Sequence, residues 1–475
     1  MPHYLIALFY ILLATCFSFG AFKQYQKANY GVSVFFLVLA AFSLRIFMAS
    51  DMFLHEWDER YHALVAKNLM ANWLEPKLYR VPLLPYSIDS WSSNYIWLHK
   101  QPLPLWCMAL SMKVFGVNEL AMRLPSVLIS SLAVYFTYLI GRTFFNEKVA
   151  LLAAFFHAVN GLVMDVTVGR AATDHIDIFF LFFVEAAMVI TVLNNRKNNL
   201  WPDMLTGLFI GLAVLCKWLP AFVVLPVWLL LNYPHKSIGR LLTGSVTIVA
   251  VACVVFVPWQ IYMRQTFPAE YQNTMLHNYR HIVEVLDGKE GGIFYFIGKL
   301  HINVNEIFWP AFVWFCYRLY KRDNTINRLA LLTWMLIPFV FFTAVQTKMQ
   351  AYLLFCFPAM FIMLADFSIW LLQPVENNRR MKFQKLLFAV ILILAVRFSI
   401  ERLKPFQDQT KQLAWANELK ALSSGEKKVY LNVQHYIEGM FYTNSIMYAY
   451  PISPEETKML GDQGYEVIVN QKPDL

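Results

Sequence analysis

Leu241–Met263 reads LLTGSVTIVAVACVVFVPWQIYM, a run without a single charged side chain. In a helix rising about 1.5 Å per residue, some 20 apolar residues cross the hydrocarbon core of a bilayer. The run is continuous rather than alternating, so it suits a helix and not a barrel strand. Runs of the same kind recur on both sides of it, at Tyr4–Gly20, Val32–Ser50, Leu120–Ile140, Val149–Met164, His175–Leu193, Met204–Cys216, Leu219–Leu231, Glu306–Leu319, Leu329–Val345, Tyr352–Leu371 and Leu386–Ile400. The pattern predicts an all-α polytopic membrane protein of about twelve transmembrane helices, each satisfying its own backbone hydrogen bonds in lipid. Only 15% of the 475 residues are charged and 58% are hydrophobic, against roughly 25% charged in soluble domains. That leaves too little polar surface for a soluble enzyme.

The first run lacks a basic segment before it and a small-residue cleavage site after it, and is expected to be a retained helix rather than a signal peptide. Cys16, Cys107, Cys216, Cys253, Cys316 and Cys356 stand singly in apolar stretches, as packing residues do. The net charge of +9 is explained by its distribution, with no nucleic-acid partner implied. Cations cluster at Lys23/Lys27, Arg142/Lys148, Arg196/Lys197, Lys236/Arg240, Arg318/Lys321/Arg322/Arg328 and Arg379/Arg380/Lys382/Lys385, on alternate short loops. By the positive-inside rule these face the cytoplasm. The opposite, outer side then holds residues 51–119, the turns at Arg170–Asp174 and Lys217–Trp218, the loop 264–305, the turn Gln346–Gln350 and everything after Arg402. A bacterial inner membrane with a periplasmic C-terminus is the expected setting. Residues 1–400 form the membrane domain. Residues 401–475 have ordinary charge density, with a helical stretch at Thr410–Leu422 and strand-like Lys428–Val433 and Glu466–Asn470, and predict a small extracytoplasmic α/β domain leaning on the membrane part.

Isolated ionisable residues gather on that outer side: Asp58, Glu59, Arg60, Lys100, Arg170, Asp174, Lys217, His277, Arg280, His281 and Lys348. Such groups are costly near lipid and pair or face a wet cavity, so one polar cavity at the outer leaflet boundary is expected. Each residue also has a plainer reading. Asp58 and Asp174 could cap helices, and Lys100, Lys217 and Lys348 could be interfacial lysines whose stems snorkel.

Residues 56–63, EWDERYHA, resemble the acidic first-loop motif of the GT-C membrane glycosyltransferases, and residues 99–105, HKQPLPL, resemble their Lys-Pro-Pro motif. Phe115-Gly116-Val117-Asn118-Glu119, Arg123-Leu124-Pro125-Ser126, Thr173-Asp174, Leu215-Cys216-Lys217, Thr347-Lys348, Tyr352-Leu353-Leu354 and Phe357-Pro358 follow in family order. Over roughly Phe53 to Phe361 the chain is similar to the aminoarabinose transferase and protein mannosyltransferase group, which uses polyprenyl-phosphate sugars. Two departures stand out. The family commonly reads Asp-Glu-x-Arg-Tyr, whereas Asp58-Glu59 abuts Arg60-Tyr61, so Glu56 competes for the equivalent position; and Gln101 replaces the first proline after the motif lysine.

The resemblance implies an inverting glycosyltransferase acting at the outer face on a lipid-delivered donor. A phosphate leaving group needs cations as the sugar–phosphate bond breaks. Lys100 is the first candidate, with Arg60, Lys217 and Lys348 secondary, and Tyr352 resembles a family residue near the donor phosphate. An attacking hydroxyl needs a base, for which Asp58 is the leading candidate, with Asp174 and Glu59 beside it. The acceptor stays open among lipid, glycan and protein hydroxyls. A divalent metal would draw on Glu59, Asp89, His55, His62, His99, His277 and His281, although their linear spacing matches no recognised metal motif. The competing functions are a lipid-linked glycan flippase or transporter, disfavoured by polar residues gathered at one face rather than at the midplane, and an oligosaccharide ligase or polymerase.

Overall fold

The computed structural model describes residues 3–172, 174–196, 198–374 and 376–471, so Thr173 of one motif and Lys197 of one basic cluster lie outside the described residues. Each of the twelve apolar runs is helical. Among the described residues seven unbroken helices are long and apolar enough to cross a membrane. A further pair, Glu147–Val159 and Gly161–Thr167, is long and apolar enough only when the two are taken together across a bend of 51°. The remaining runs fall in the shorter helices Trp201–Lys217, Val224–Asn232 and Phe308–Tyr320 and in the more polar Asn378–Leu403.

Small residues set the helix contacts, as expected where lipid supplies no hydrophobic drive between helices. Ala7, Ala14 and Ala21 are the buried residues of the first helix, His3–Gln26, while its Leu8, Phe9, Leu12 and Phe19 remain exposed. Gly207 and Gly211 let Trp201–Lys217 lie against Ile238–Thr266; a Cβ at Gly207 would come within 2.5 Å of the Ile248 carbonyl. The break at Asn160 frees backbone carbonyls inside the bundle, and a charge in the second helix, Tyr30–Ala49, meets them. Arg45, fully buried, donates to the carbonyls of Ala158 at 2.9 Å and His157 at 3.3 Å and to Ser130 Oγ at 2.7 Å. The Asn160 amide donates to the Asn303 carbonyl at 2.7 Å. Irregular backbone is tolerated at this depth because protein groups satisfy it.

The segments assigned to the outer side meet one another. Arg170 reaches Asp51 at 2.8 Å and the Arg402 carbonyl at 3.1 Å, Asn273 reaches the Ile88 carbonyl at 2.8 Å, and the Lys348 amide donates to the Lys289 carbonyl at 2.8 Å. Beyond the last long helix come Thr410–Ala421, β1 (Lys428–Leu431), Tyr436–Tyr442, β2 (Ile446–Met447), Pro454–Asp462 and β3 (Glu466–Val469). The strands form a parallel sheet of order β2-β1-β3, with Val429 opposite both Ile446 and Val467. Parallel neighbours need crossovers, and the two short helices that sequence reading missed supply them. The sheet domain docks on the Asp58–Leu69 helix. Lys67 Nζ donates to the carbonyls of Met440 at 2.8 Å and Phe441 at 2.9 Å and to that of Thr443, at the end of Tyr436–Tyr442. Burial, with Arg80 adding to it, pushes the Lys67 ammonium down to about 8.

Candidate active site

The Asp58–Leu69 helix begins abruptly. Trp57 precedes it with φ 71° and makes no side-chain capping hydrogen bond. Asp58 therefore occupies the first helical position rather than the cap, where its charge favours the helix dipole. Trp218, which ends Trp201–Lys217, has φ 76°. A bulky residue at positive φ is rare and costs about 1–3 kcal/mol. Both strained tryptophans adjoin a charged residue of the same cavity, Asp58 after Trp57 and Lys217 before Trp218. Residue type carries no signal for this, since tryptophan does not favour such a conformation.

That cavity encloses about 430 Å³. Asp58, Lys100, Lys217 and Tyr352 line its polar part, and Ile176, Leu219, Pro220, Ile282, Phe341 and Phe342 its apolar part. Lys100 Nζ stands 3.6 Å from Asp58 Oδ2, both side chains slightly exposed. Lys217 pairs with Asp177 and sits 4.7 Å from the centroid of the Tyr352 ring. Asp177 was not singled out from sequence, although it lies one helical turn from Asp174 at the start of an apolar helix. His281 also lines the cavity; burial, then the neighbouring His277 and the two lysine cations, push it down to about 4, so it is neutral at neutral pH.

The other predicted residues lie elsewhere. Glu59 is fully buried and held by Arg123 at 2.7 and 2.9 Å, by the His55 amide at 2.6 Å and by His175 at 3.2 Å. Burial alone would raise its carboxyl; the Arg123 charge, His55 and the hydrogen bonds outweigh that and hold it well below the usual range. Arg60 turns to the sheet domain, 3.3 Å from Glu438. Lys348 is buried with its ammonium on the Val345 carbonyl. Asp174 is buried opposite His62 at 2.8 Å. Glu56 is exposed and lines a different cavity. Of the residues considered as metal ligands, His277 and His281 approach to 3.2 Å between Nε2 atoms and His99 stacks on Trp91, while His55 and Glu59 are engaged with Arg123. Among the described residues no group of three or more His, Cys, Asp or Glu side chains is placed to hold a metal ion.

The helical architecture is a GT-C fold of the ArnT kind. Residues 99–262 match the family model described as dolichyl-phosphate-mannose-protein mannosyltransferase. The ArnT structure from Cupriavidus metallidurans bound to undecaprenyl phosphate superposes with a TM-score of 0.64 at 16% identity, covering 90% of this chain and 87% of that one. The Archaeoglobus fulgidus oligosaccharyltransferase carrying a tethered acceptor peptide superposes with a TM-score of 0.59 at 13% identity over 91% of this chain and 65% of that one. In sequence the chain is similar to undecaprenyl phosphate-alpha-4-amino-4-deoxy-L-arabinose arabinosyl transferase 2 of Pseudomonas fluorescens, 25% identical over 63% of this chain and 53% of the relative. The chain thus spans about half the length of that curated relative.

Proposed function

We propose that this protein transfers a sugar from a polyprenyl-phosphate donor to a hydroxyl acceptor at the outer, periplasmic face of the membrane. The observation that carries the proposal is one cavity with the Asp58 carboxylate 3.6 Å from the Lys100 ammonium, a second ammonium at Lys217 and an apolar wall. The polyprenyl chain lies along Phe341, Phe342 and Leu219, and its phosphate meets Lys100 and Lys217. The acceptor oxygen attacks the anomeric carbon and gives its proton to Asp58. The bond from that carbon to the phosphate oxygen breaks, and its electron pair leaves with the phosphate, where fixed cations stabilise the charge. Displacement from the opposite face inverts the anomeric configuration.

Purified protein in vesicles containing labelled undecaprenyl-phosphate sugar and an envelope extract tests the reaction. Label appearing in an inverted glycoside supports it. Label crossing the bilayer without product indicates a flippase, and transfer of a preassembled glycan block indicates a ligase; either outcome overturns the reading.

A further inference from the structure

A second cavity, of about 680 Å³, meets the first along the chain: Glu56 and Trp57 line the second, and the next residue, Asp58, lines the first. Its other side is built by the sheet domain, chiefly by Thr410–Ala421. There the Trp415 indole lies flat on the His435 imidazole, centroids 4.4 Å apart and planes 11° apart, with Phe53 edge-on to the indole. Gln412 Oε1 is buried with no hydrogen-bond partner, and the amides of Gln407 and Gln434 also line the space. A buried acceptor without a partner calls for a donor from water or a ligand.

The two cavities differ in character. The first offers a long apolar wall, whereas the second combines planar aromatic faces with amide groups that both donate and accept, beside charged groups of both signs at Asp51, Glu56, Glu418, Arg170, Lys404 and Lys411. That combination suits a saccharide, whose hydroxyls pair with amides and whose C–H face lies on an aromatic ring. An extended peptide would instead seek a sheet edge, and neither edge strand, β2 or β3, lines this space.

We propose that the second cavity holds the saccharide part of the acceptor, resting on the Trp415–His435 pair and bonded to Gln412, with the reacting hydroxyl directed past Trp57 to Asp58. The proposal rests on the glycosyl-transfer reading for its role as an acceptor site, but saccharide binding is measurable without any donor. Saturation-transfer NMR on the full chain in nanodiscs, with chitobiose and maltose as probes, is the test. At least one disaccharide is expected to bind in the millimolar range. Trp415→Ala and Gln412→Leu should each weaken that binding at least tenfold, Trp415→Phe should restore much of it, and Lys458→Ala, on an exposed helix of the same domain, should leave it unchanged. Thermal unfolding of each variant separates lost binding from lost folding. Absence of binding for both sugars, or equal binding in wild type and in folded Gln412→Leu, overturns the acceptor site even if the protein transfers sugar. Binding that behaves as expected in a protein that transfers nothing supports the saccharide site and removes the transferase reading.

Discussion

Asp58 and Glu59 are neighbours in the chain and on the first turn of one helix, yet they live in opposite environments. Glu59 is completely buried, with Arg123, His55 and His175 around it. Asp58 retains some exposure, faces Lys100 at 3.6 Å and lines a cavity. A buried pair whose lone pairs are all satisfied holds backbone together, because removing either partner leaves an uncompensated charge. A partly wet carboxylate beside an ammonium can exchange a proton and still be held in place. In an acidic motif of consecutive charged residues, the residue next to the chemistry can therefore be its scaffold.

Four substitutions put this contrast to experiment. The largest effect is expected for Asp58→Asn, which preserves shape but cannot accept a proton. Turnover should fall by roughly 10²–10⁴-fold, while unfolding stability changes by no more than about 1 kcal/mol from the lost charge–dipole term. Near wild-type turnover would remove Asp58 as the base, and a dead Glu56→Gln beside it would hand that role to Glu56.

Glu59→Gln should do the reverse, lowering stability by about 3–5 kcal/mol while the protein that stays folded keeps its rate. Because the folded-state carboxyl of Glu59 is held below its unfolded value, its contribution is present above the unfolded value and is lost as pH falls through the folded one. Acid should therefore destabilise the wild type more steeply than the variant in denaturation profiles collected from neutral pH downward. Parallel profiles would contradict the scaffold role.

Lys100→Ala removes the cation beside Asp58 and is expected to cost about 10²–10³-fold in turnover with weaker retention of undecaprenyl phosphate by native mass spectrometry. Unchanged lipid retention and turnover in folded protein would separate Lys100 from the donor phosphate. The smallest effect belongs to Trp57→Gly. Glycine accepts φ 71° without strain, so strain relief of about 1–3 kcal/mol should offset much of the lost packing. Turnover should nevertheless fall, because Asp58 is no longer held at a fixed angle. If activity survives with stability raised, the strain is incidental.

Much of the membrane architecture was legible because the period and length of apolar runs respond to a single solvent property. All twelve runs are helical, and the strands Lys428–Leu431 and Glu466–Val469 fall inside the stretches read as strand-like. Arg45 was not legible, since a cation inside an apolar run predicts a partner but not that its partners are the carbonyls freed by a break more than a hundred residues later. The ionisable cluster was legible as a cluster, but its division was not. Lys100, Lys217, Tyr352 and Asp58 line one cavity, while Arg60, Lys348, Asp174 and Glu59 are spent on the sheet domain, a backbone carbonyl, a histidine and an arginine.

Composition and order alone were enough to establish that this chain is helical and membrane-spanning and to show motifs that resemble those of GT-C transferases, and they led to the expectation that one set of lone charges gathers on one side. Those conclusions rest on composition and order, which exist before folding. Which charges are buried against partners and which face open space emerges on folding, because desolvation and ion pairing depend on distances between segments far apart in the chain. Asp58 and Glu59 differ by one position in sequence, and what separates scaffold from candidate base is that Arg123, sixty-four residues beyond Glu59, reaches Glu59 at 2.7 Å.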